Sequence, residues 1–206
     1  LISLPFKWVN IAGYYQYGPT GFYSDNGVSG GPGILELTPN SNSLAVFKSA
    51  LNNSLSKGAA QLLTAHSAVS TGWGKGADNY RLFGIKAGSD PGSICAGTAP
   101  DPGVPYTCLF TTERVSGVPV SVKHAFRSYN TLDESVAGFL RNLSTTRYAR
   151  ARAAFLRGSE DYFKLVGEAG WYTAAISKVV ADMQAQLVLV QQYTGGKFTV
   201  GESGST

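Results

Sequence analysis

A chain of 206 residues, 43% of them hydrophobic, is long enough to form one domain with a substantial core. Its formal charge of +4 is modest, and no apolar run reaches the roughly 20 residues that a membrane-spanning helix needs. Two cysteines and two histidines lack the spacing of a zinc site, so we expect neither a metal nor another cofactor. The charged fraction of 15%, with 25 glycines and 11 tyrosines, is more typical of an exported or virion protein than of a cytosolic enzyme. We therefore expect a periplasmic, extracellular or virion-associated location.

The segment 1–42 is rich in glycine and aromatic residues and has no helical periodicity, which predicts turns and short extended pieces. We expect this N-terminal segment to pack onto a domain that spans 43–194, followed by a flexible tail at 195–206. Extension of a saccharide groove and contact with a partner protein are the alternatives for its aromatic residues, Tyr14, Tyr15, Tyr17, Phe22 and Tyr23.

The first two predicted helices follow this segment. Asn42 or Ser43 can cap a helix that runs to about residue 56 and ends before Gly58. Its expected apolar stripe consists of Leu44, Phe47, Leu51 and Leu55. A second helix begins near Ala59 and is stopped by Gly72 and Gly74, because glycine tolerates the left-handed backbone of a helix exit. Its buried face is predicted from helical spacing to contain Leu62, Ala65, His66 and Val69.

Three aromatic residues follow the second helix within eleven positions: Trp73, Tyr80 and Phe83. Flat apolar side chains of this kind suit sugar rings, so we expect a cleft beside the helix end. Packing of the aromatic rings into the core is the alternative.

A long loop is predicted over 88–105, and the cysteines bracket most of it. Cys95 and Cys108 are expected to form a disulfide across this proline- and glycine-rich excursion, which implies an oxidising compartment. A β-hairpin follows, with strands at 109–114 and 118–127 and a turn at Ser116 and Gly117.

The remaining chain is predicted to be helical. Thr131 can cap a helix and Glu134 completes a capping box. The side chains of this helix that should face inward are Leu132, Val136, Phe139, Leu140 and Leu143. Three further helices are expected at about 146–156, 159–169 and 173–192.

Several ordered motifs carry a resemblance. The segment AVSTGWGKG, followed by NYRLFGIKA, resembles the glucosaminidase family of peptidoglycan hydrolases, including the domain of the flagellar rod-cap hydrolase. That family has the patterns A-L-E-S/T-G-W-G and N-L-F-G-I/V-K-A. The likeness continues through the hairpin and the following helix to RYARA and EAGWYT, so it covers about 58–190. It implies an α+β, mostly helical, lysozyme-like domain with one β-hairpin. It also implies cleavage of the bond after N-acetylglucosamine in peptidoglycan glycan strands.

The resemblance departs at the catalytic position. Where the family carries a glutamate at the helix end, this chain has Ser70, whose hydroxyl cannot serve as a general acid near neutral pH. Glu113, in TTER, falls on the hairpin glutamate that the family proposes for the second catalytic role. A solvated strand residue is the alternative interpretation of Glu113. Three substitutes for the missing acid are conceivable: Asp78, Glu36, or Ser70 acting with His66.

The candidate glycan-binding residues are Trp73, Tyr80, Phe83, His66 and Tyr172. Tyr172 lies where the family has G-Y-A-T-D; the tyrosine is retained one position later and the acid is lost. For His66 a satisfied core histidine is the alternative.

The resemblance therefore implies a peptidoglycan-directed glycoside hydrolase of the N-acetylglucosaminidase type, and Ser70 predicts that it is inactive or weakened. The alternative is a non-catalytic glycan-binding or structural component of a virion or cell-surface appendage, with partner proteins there. Nucleic-acid binding would rest on charge alone, so we expect no nucleic-acid partner. That charge is an arginine cluster made of Arg141, Arg147, Arg150, Arg152 and Arg157. We expect the cluster to be a solvated helix face, with attraction to an anionic cell wall or to nucleic acid as the alternative.

Overall fold

The computed structural model describes residues 7–11, 14–18, 41–72, 78–116 and 118–195. These residues form seven α-helices and two antiparallel two-stranded sheets, so the predicted mostly helical α+β class is confirmed. The helices are α1 (Ser41–Asn52), α2 (Lys57–Thr71), α3 (Pro91–Ala96), α4 (Leu132–Leu143), α5 (Ala149–Leu156), α6 (Asp161–Glu168) and α7 (Ile176–Thr194). The strands are β1 (Lys7–Ile11), β2 (Tyr14–Gly18), β3 (Tyr106–Val115) and β4 (Val118–Arg127).

The N-terminal segment, predicted as irregular with short extended pieces, contains a hairpin in which β1 pairs with β2. The aromatic residues at 22 and 23 and the predicted tail beyond Gly195 lie outside the described residues. No helix in the described ranges combines the length and the apolar character that crossing a bilayer requires.

Helix α2 is the centre of the domain. At the start of α2, the Ser56 side chain accepts a hydrogen bond from the Ala59 amide at 3.3 Å. Gly72 ends it in the left-handed conformation, with φ 58° and ψ 51°, as predicted. The four residues expected to form its buried face are buried, but so are the polar residues Gln61 and Thr64 on its other sides. The helix is therefore enclosed by protein all round, and it packs against α1 and α7.

Helix α1 begins close to its predicted start but ends at Asn52 instead of near residue 56, and its apolar stripe is displaced. Gly58, which was expected to end this helix, lies in the first turn of α2. Leu44 is 37% exposed and Leu51 is 40% exposed, whereas Val46, Phe47 and Ala50 are buried. Both sets of positions recur at helical spacing, so periodicity alone does not distinguish them. The packing of α1 against both α2 and α4 determines which set faces the core.

The segment predicted as a long loop contains α3. The Asp90 carboxylate accepts a hydrogen bond from the Ser93 amide at 3.1 Å and Pro91 occupies the first turn, which are ordinary signals of a helix start. The predicted disulfide between Cys95 and Cys108 is present, and it joins α3 to β3.

The β3–β4 hairpin is longer than predicted at its first strand and pairs Glu113 with Val120. Helix α4 begins with the predicted cap, in which Thr131 Oγ1 accepts from the Glu134 amide at 3.1 Å. The reciprocal bond of the predicted capping box is shifted by one residue, since Glu134 Oε2 accepts from the Asn130 amide at 2.9 Å. Helices α5 to α7 follow close to their predicted positions. The largest fully buried apolar side chains form an aromatic core: Phe83, Phe139, Phe155, Tyr162 and Phe163.

Candidate active site

A cleft of about 400 Å³ lies beside the end of α2. Its walls come from four parts of the chain: the last turns of α2, the segment 83–88, the β3–β4 hairpin, and the residues from the end of α4 to α7. The lining residues that carry polar side chains or aromatic rings are Ser70, Phe83, Lys86, Thr111, Thr112, Glu113, Phe126, Asn142, Arg147, Tyr148, Trp171, Tyr172 and Thr173.

The structure brings together the two positions that the sequence singled out for catalysis. Ser70 and Glu113 both line this cleft although they are 43 residues apart in the chain. Ser70 lies in the last turn of α2. From Gly58 to Thr71 it is the one residue of this helix that is not buried. A side chain at position 70 therefore reaches the cleft from an otherwise enclosed helix.

Glu113 is held by three polar neighbours. Lys86 Nζ lies 2.7 Å from Glu113 Oε1, and Thr173 Oγ1 donates a hydrogen bond to Glu113 Oε2 at 2.7 Å. His124 Nδ1 lies 3.5 Å from Oε1. Lys86 is positioned by a single β-bridge with Phe126 of β4, and Thr173 comes from the segment between α6 and α7. The side chain of Glu113 is only 14% exposed, so it is a fixed part of the cleft wall.

Burial raises the pKa of Glu113, but the hydrogen bonds from Lys86 and Thr173 and the charge of Lys86 outweigh it, so the pKa lies below its ordinary value. At neutral pH Glu113 is therefore a carboxylate. A carboxylate can activate water or stabilise positive charge, but it cannot donate the proton that a leaving sugar oxygen needs.

None of the three conceivable substitute acids is in place within the described residues, where Glu113 is the one acidic side chain that lines the cleft. Asp78 lies outside the lining, is 86% exposed and is 3.5 Å from Arg81. Glu36 lies outside the described residues. His66 Nε2 has no hydrogen-bond partner among the described residues, so His66 and Ser70 do not form a pair through that atom.

His66 lies behind the cleft wall and not in it. It is fully buried, its Nδ1 is 2.6 Å from Tyr162 Oη, and its ring packs edge-on against Phe139 and Trp171. Burial lowers its pKa to about 3, so the ring is neutral at physiological pH. In this arrangement His66 presents no surface to a ligand, and it supports Trp171, which does line the cleft.

Of the four remaining predicted glycan-binding residues, two line the cleft, one does not, and one lies outside the described residues. Phe83 and Tyr172 line the cleft, and Tyr172 Oη donates to the Phe163 carbonyl at 2.6 Å. Tyr80 is 43% exposed and is not part of the lining. Trp73 lies outside the described residues.

The sequence pattern does not single out Lys86, although it belongs to the NYRLFGIKA motif that carries part of the resemblance. Trp171 is a second cleft residue that the sequence pattern does not single out. Its Nε1 donates a hydrogen bond to the Phe83 carbonyl at 3.1 Å, which connects the segment after α6 to the segment after α2. No group of three or more potential metal-ligating side chains gathers among the described residues.

Comparison with known proteins identifies the fold. Neither a protein-family model nor a curated protein sequence matches the chain. Among solved structures, a peptidoglycan hydrolase mutant from Sphingomonas sp. A1 matches with a TM-score of 0.53 and 20% identity, over 74% of this chain and 95% of that one. The catalytic domain of the autolysin Auto from Listeria monocytogenes matches with a TM-score of 0.52 and 16% identity, over 82% and 92%.

An N-acetylmuramoyl-L-alanine amidase from Staphylococcus aureus matches with a TM-score of 0.50 and 16% identity, over 75% of this chain and 41% of that protein. At these identities the likeness concerns the fold alone. The chain has the fold of these peptidoglycan hydrolases, as the motifs of the glucosaminidase resemblance implied.

Proposed function

We propose that this chain binds peptidoglycan glycan strands in the cleft between α2 and the β3–β4 hairpin. We further propose that it is of the N-acetylglucosaminidase type and that its hydrolysis is lost or strongly weakened. The single observation that carries the proposal is that Ser70, at the position of the family's catalytic glutamate, and Glu113 line one cleft in a peptidoglycan hydrolase fold. A disulfide and an oxidising location, periplasmic, extracellular or on a virion, fit such a substrate.

The proposed weakness follows from the chemistry of the two positions. Glycoside hydrolysis usually needs a protonated carboxyl group for the leaving oxygen and a carboxylate on the other side of the bond. Glu113 is suited to the second role because Lys86 and Thr173 keep it ionised. Ser70 offers no acid for the first role, and loss of a general acid costs about 10² to 10⁴ in rate.

The test is to restore the acid. Ser70→Glu places a carboxyl group in a cleft whose wall includes the buried apolar residues Val69 and Phe83, where desolvation should raise its pKa towards the range of a working acid. Release of muropeptides from purified sacculi should increase about 100-fold or more over the unmodified chain. Ser70→Gln is the matched control because it has the same size without an acidic proton, and it should not increase release.

Glu113→Gln, introduced into the Ser70→Glu variant, should remove the gained activity. If the unmodified chain digests sacculi as fast as the Ser70→Glu variant, another group donates the proton and the proposed catalytic centre is wrong.

A second candidate function is a non-catalytic glycan-binding or structural component of a virion or appendage. One observation favours it: within the described lining Glu113 is the one carboxyl group and its pKa is lowered, so no protonated carboxyl group is in place there to support bond cleavage. This function predicts saturable binding to sacculi by both the unmodified chain and the Ser70→Glu variant, with no reducing ends formed by either. Formation of reducing ends by the Ser70→Glu variant would favour the first function.

A further inference from the structure

The charges in the cleft are unbalanced. Three charged side chains line it within the described residues: Lys86, Glu113 and Arg147. Lys86 and Glu113 neutralise each other at 2.7 Å. No carboxylate of the described residues lies within ion-pairing distance of Arg147, so its charge is uncompensated there. An uncompensated arginine in a concave site favours an anionic ligand.

Arg147 is held in a defined orientation. Its Nε donates to the Ala169 carbonyl, and its Nη2 lies 3.4 Å from the Gly170 carbonyl, at the end of α6. Its guanidinium carbon is 5.6 Å from the centre of the Tyr148 ring. These contacts fix one edge of the guanidinium group, which reduces the entropy that a ligand would have to remove.

The fixed edge leaves another edge of the same group available for binding. A guanidinium group has five N–H donors in a planar arrangement, and the backbone contacts engage only Nε and one hydrogen of Nη2. One hydrogen of Nη1 and the second hydrogen of Nη2 lie along this other edge. That geometry matches the two oxygens of a carboxylate, which arginine binds through two parallel hydrogen bonds.

We propose that Arg147 is a specificity-determining residue that binds a carboxylate of the glycan substrate. This inference rests on the proposed function. Peptidoglycan carries carboxylates on the lactyl group of muramic acid where no peptide is attached, and on the stem peptides. A polymer of N-acetylglucosamine carries none. Arg147 would therefore select strands that contain muramic acid over uncharged strands of the same length.

The experiment compares three tetrasaccharides by titration calorimetry with the full chain. One contains only N-acetylglucosamine, one alternates N-acetylglucosamine with peptide-free muramic acid, and one carries stem peptides. We expect the preferred charged ligand to bind about tenfold more tightly than the uncharged one, the effect of one charge-assisted hydrogen-bonded pair. Preference for the peptide-free ligand would identify the lactyl carboxylate, and preference for the third ligand would identify a stem-peptide carboxylate.

Both Arg147 and Arg150 are exposed, but only Arg147 lines the cleft. Arg147→Gln should therefore abolish this preference, while Arg150→Gln should retain it. Arg147→Lys is a second variant for the case that loss of the contacts to the end of α6 impairs folding. Lysine keeps the positive charge but lacks the two parallel N–H donors of the guanidinium group, so the preference for the charged ligand should fall by at least about threefold.

The outcomes separate this inference from the function on which it rests. Equal binding of all three ligands, or a preference that survives both Arg147 substitutions, would overturn the role of Arg147 and leave glycan binding intact. Absence of binding to every ligand by the folded chain would overturn both.

Discussion

Removal of the bridge between Cys95 and Cys108 should lower the free energy of unfolding by a predictable amount. The two residues are separated by 13 positions, and cross-linking a loop of this length removes denatured-state entropy worth about 3 kcal/mol at 25 °C. For a domain of this size each kcal/mol corresponds to about 2–4 °C, so the melting temperature should fall by about 6–12 °C. The perturbation is the double variant Cys95→Ala, Cys108→Ala, because alanine suits the small apolar cluster with Ala87 and Ala125.

The assay is thermal unfolding followed by far-ultraviolet circular dichroism at pH 7, at one scan rate, with and without a reducing agent. Reduction of the unmodified protein should lower its melting temperature to about that of the double variant. The double variant should not respond to the reducing agent, and it is therefore the control for unspecific effects of the reagent.

A difference of less than about 2 °C between the double variant and the unmodified protein, in which both thiols have been shown to be oxidised, would refute the reasoning. It would mean that the bridge does not restrict the unfolded chain. A related measurement bears on the site, because β3 carries both Cys108 and Glu113. Amide hydrogen exchange in β3 should be faster in the double variant than in the bridged protein.

Two further predictions concern the cleft. Because the pKa of Glu113 is lowered in the folded protein, its stabilising contribution is complete above its ordinary value of 4.5 and is lost as the pH falls through the folded value. The difference in urea stability between the unmodified protein and Glu113→Gln should therefore shrink below about pH 4.5, and a constant difference from pH 7 to pH 3 would contradict this. Gly167→Ala should lower the free energy of unfolding by about 1–3 kcal/mol and weaken glycan binding, because an added Cβ would lie 2.6 Å from Tyr172 Cε2. Gly92→Ala is the control, because the atom nearest to its added Cβ would be 3.6 Å away.

Local signals in the sequence account for most of the correct predictions. The helix cap at Thr131 and Glu134, the glycine exit at Gly72 and the hairpin turn near Ser116 each depend on residues a few positions apart. Helix α3 has the same kind of signal in Asp90 and Pro91, and the proline- and glycine-rich composition around it obscured that signal.

Properties that depend on packing between distant segments of the chain were harder to predict from the sequence. Leu44 and Leu51 have the spacing of a buried stripe but are exposed, because the positions of α2 and α4 determine which side of α1 is covered. The environment of Glu113 is a stronger case. Its partners Lys86 and Thr173 come from segments on either side of it in the chain, and only the folded arrangement reveals that the carboxylate is kept ionised.

The enclosure of α2 has a consequence for how this fold can diversify. Almost every position along the helix is surrounded by neighbouring side chains, so a substitution there must be accommodated by the whole core. Position 70 is different, since its side chain emerges into the cleft at the helix terminus. We therefore expect an exchange of serine for glutamate there to have little effect on folding, so that under the proposed function this one position can change bond cleavage while the groove stays intact.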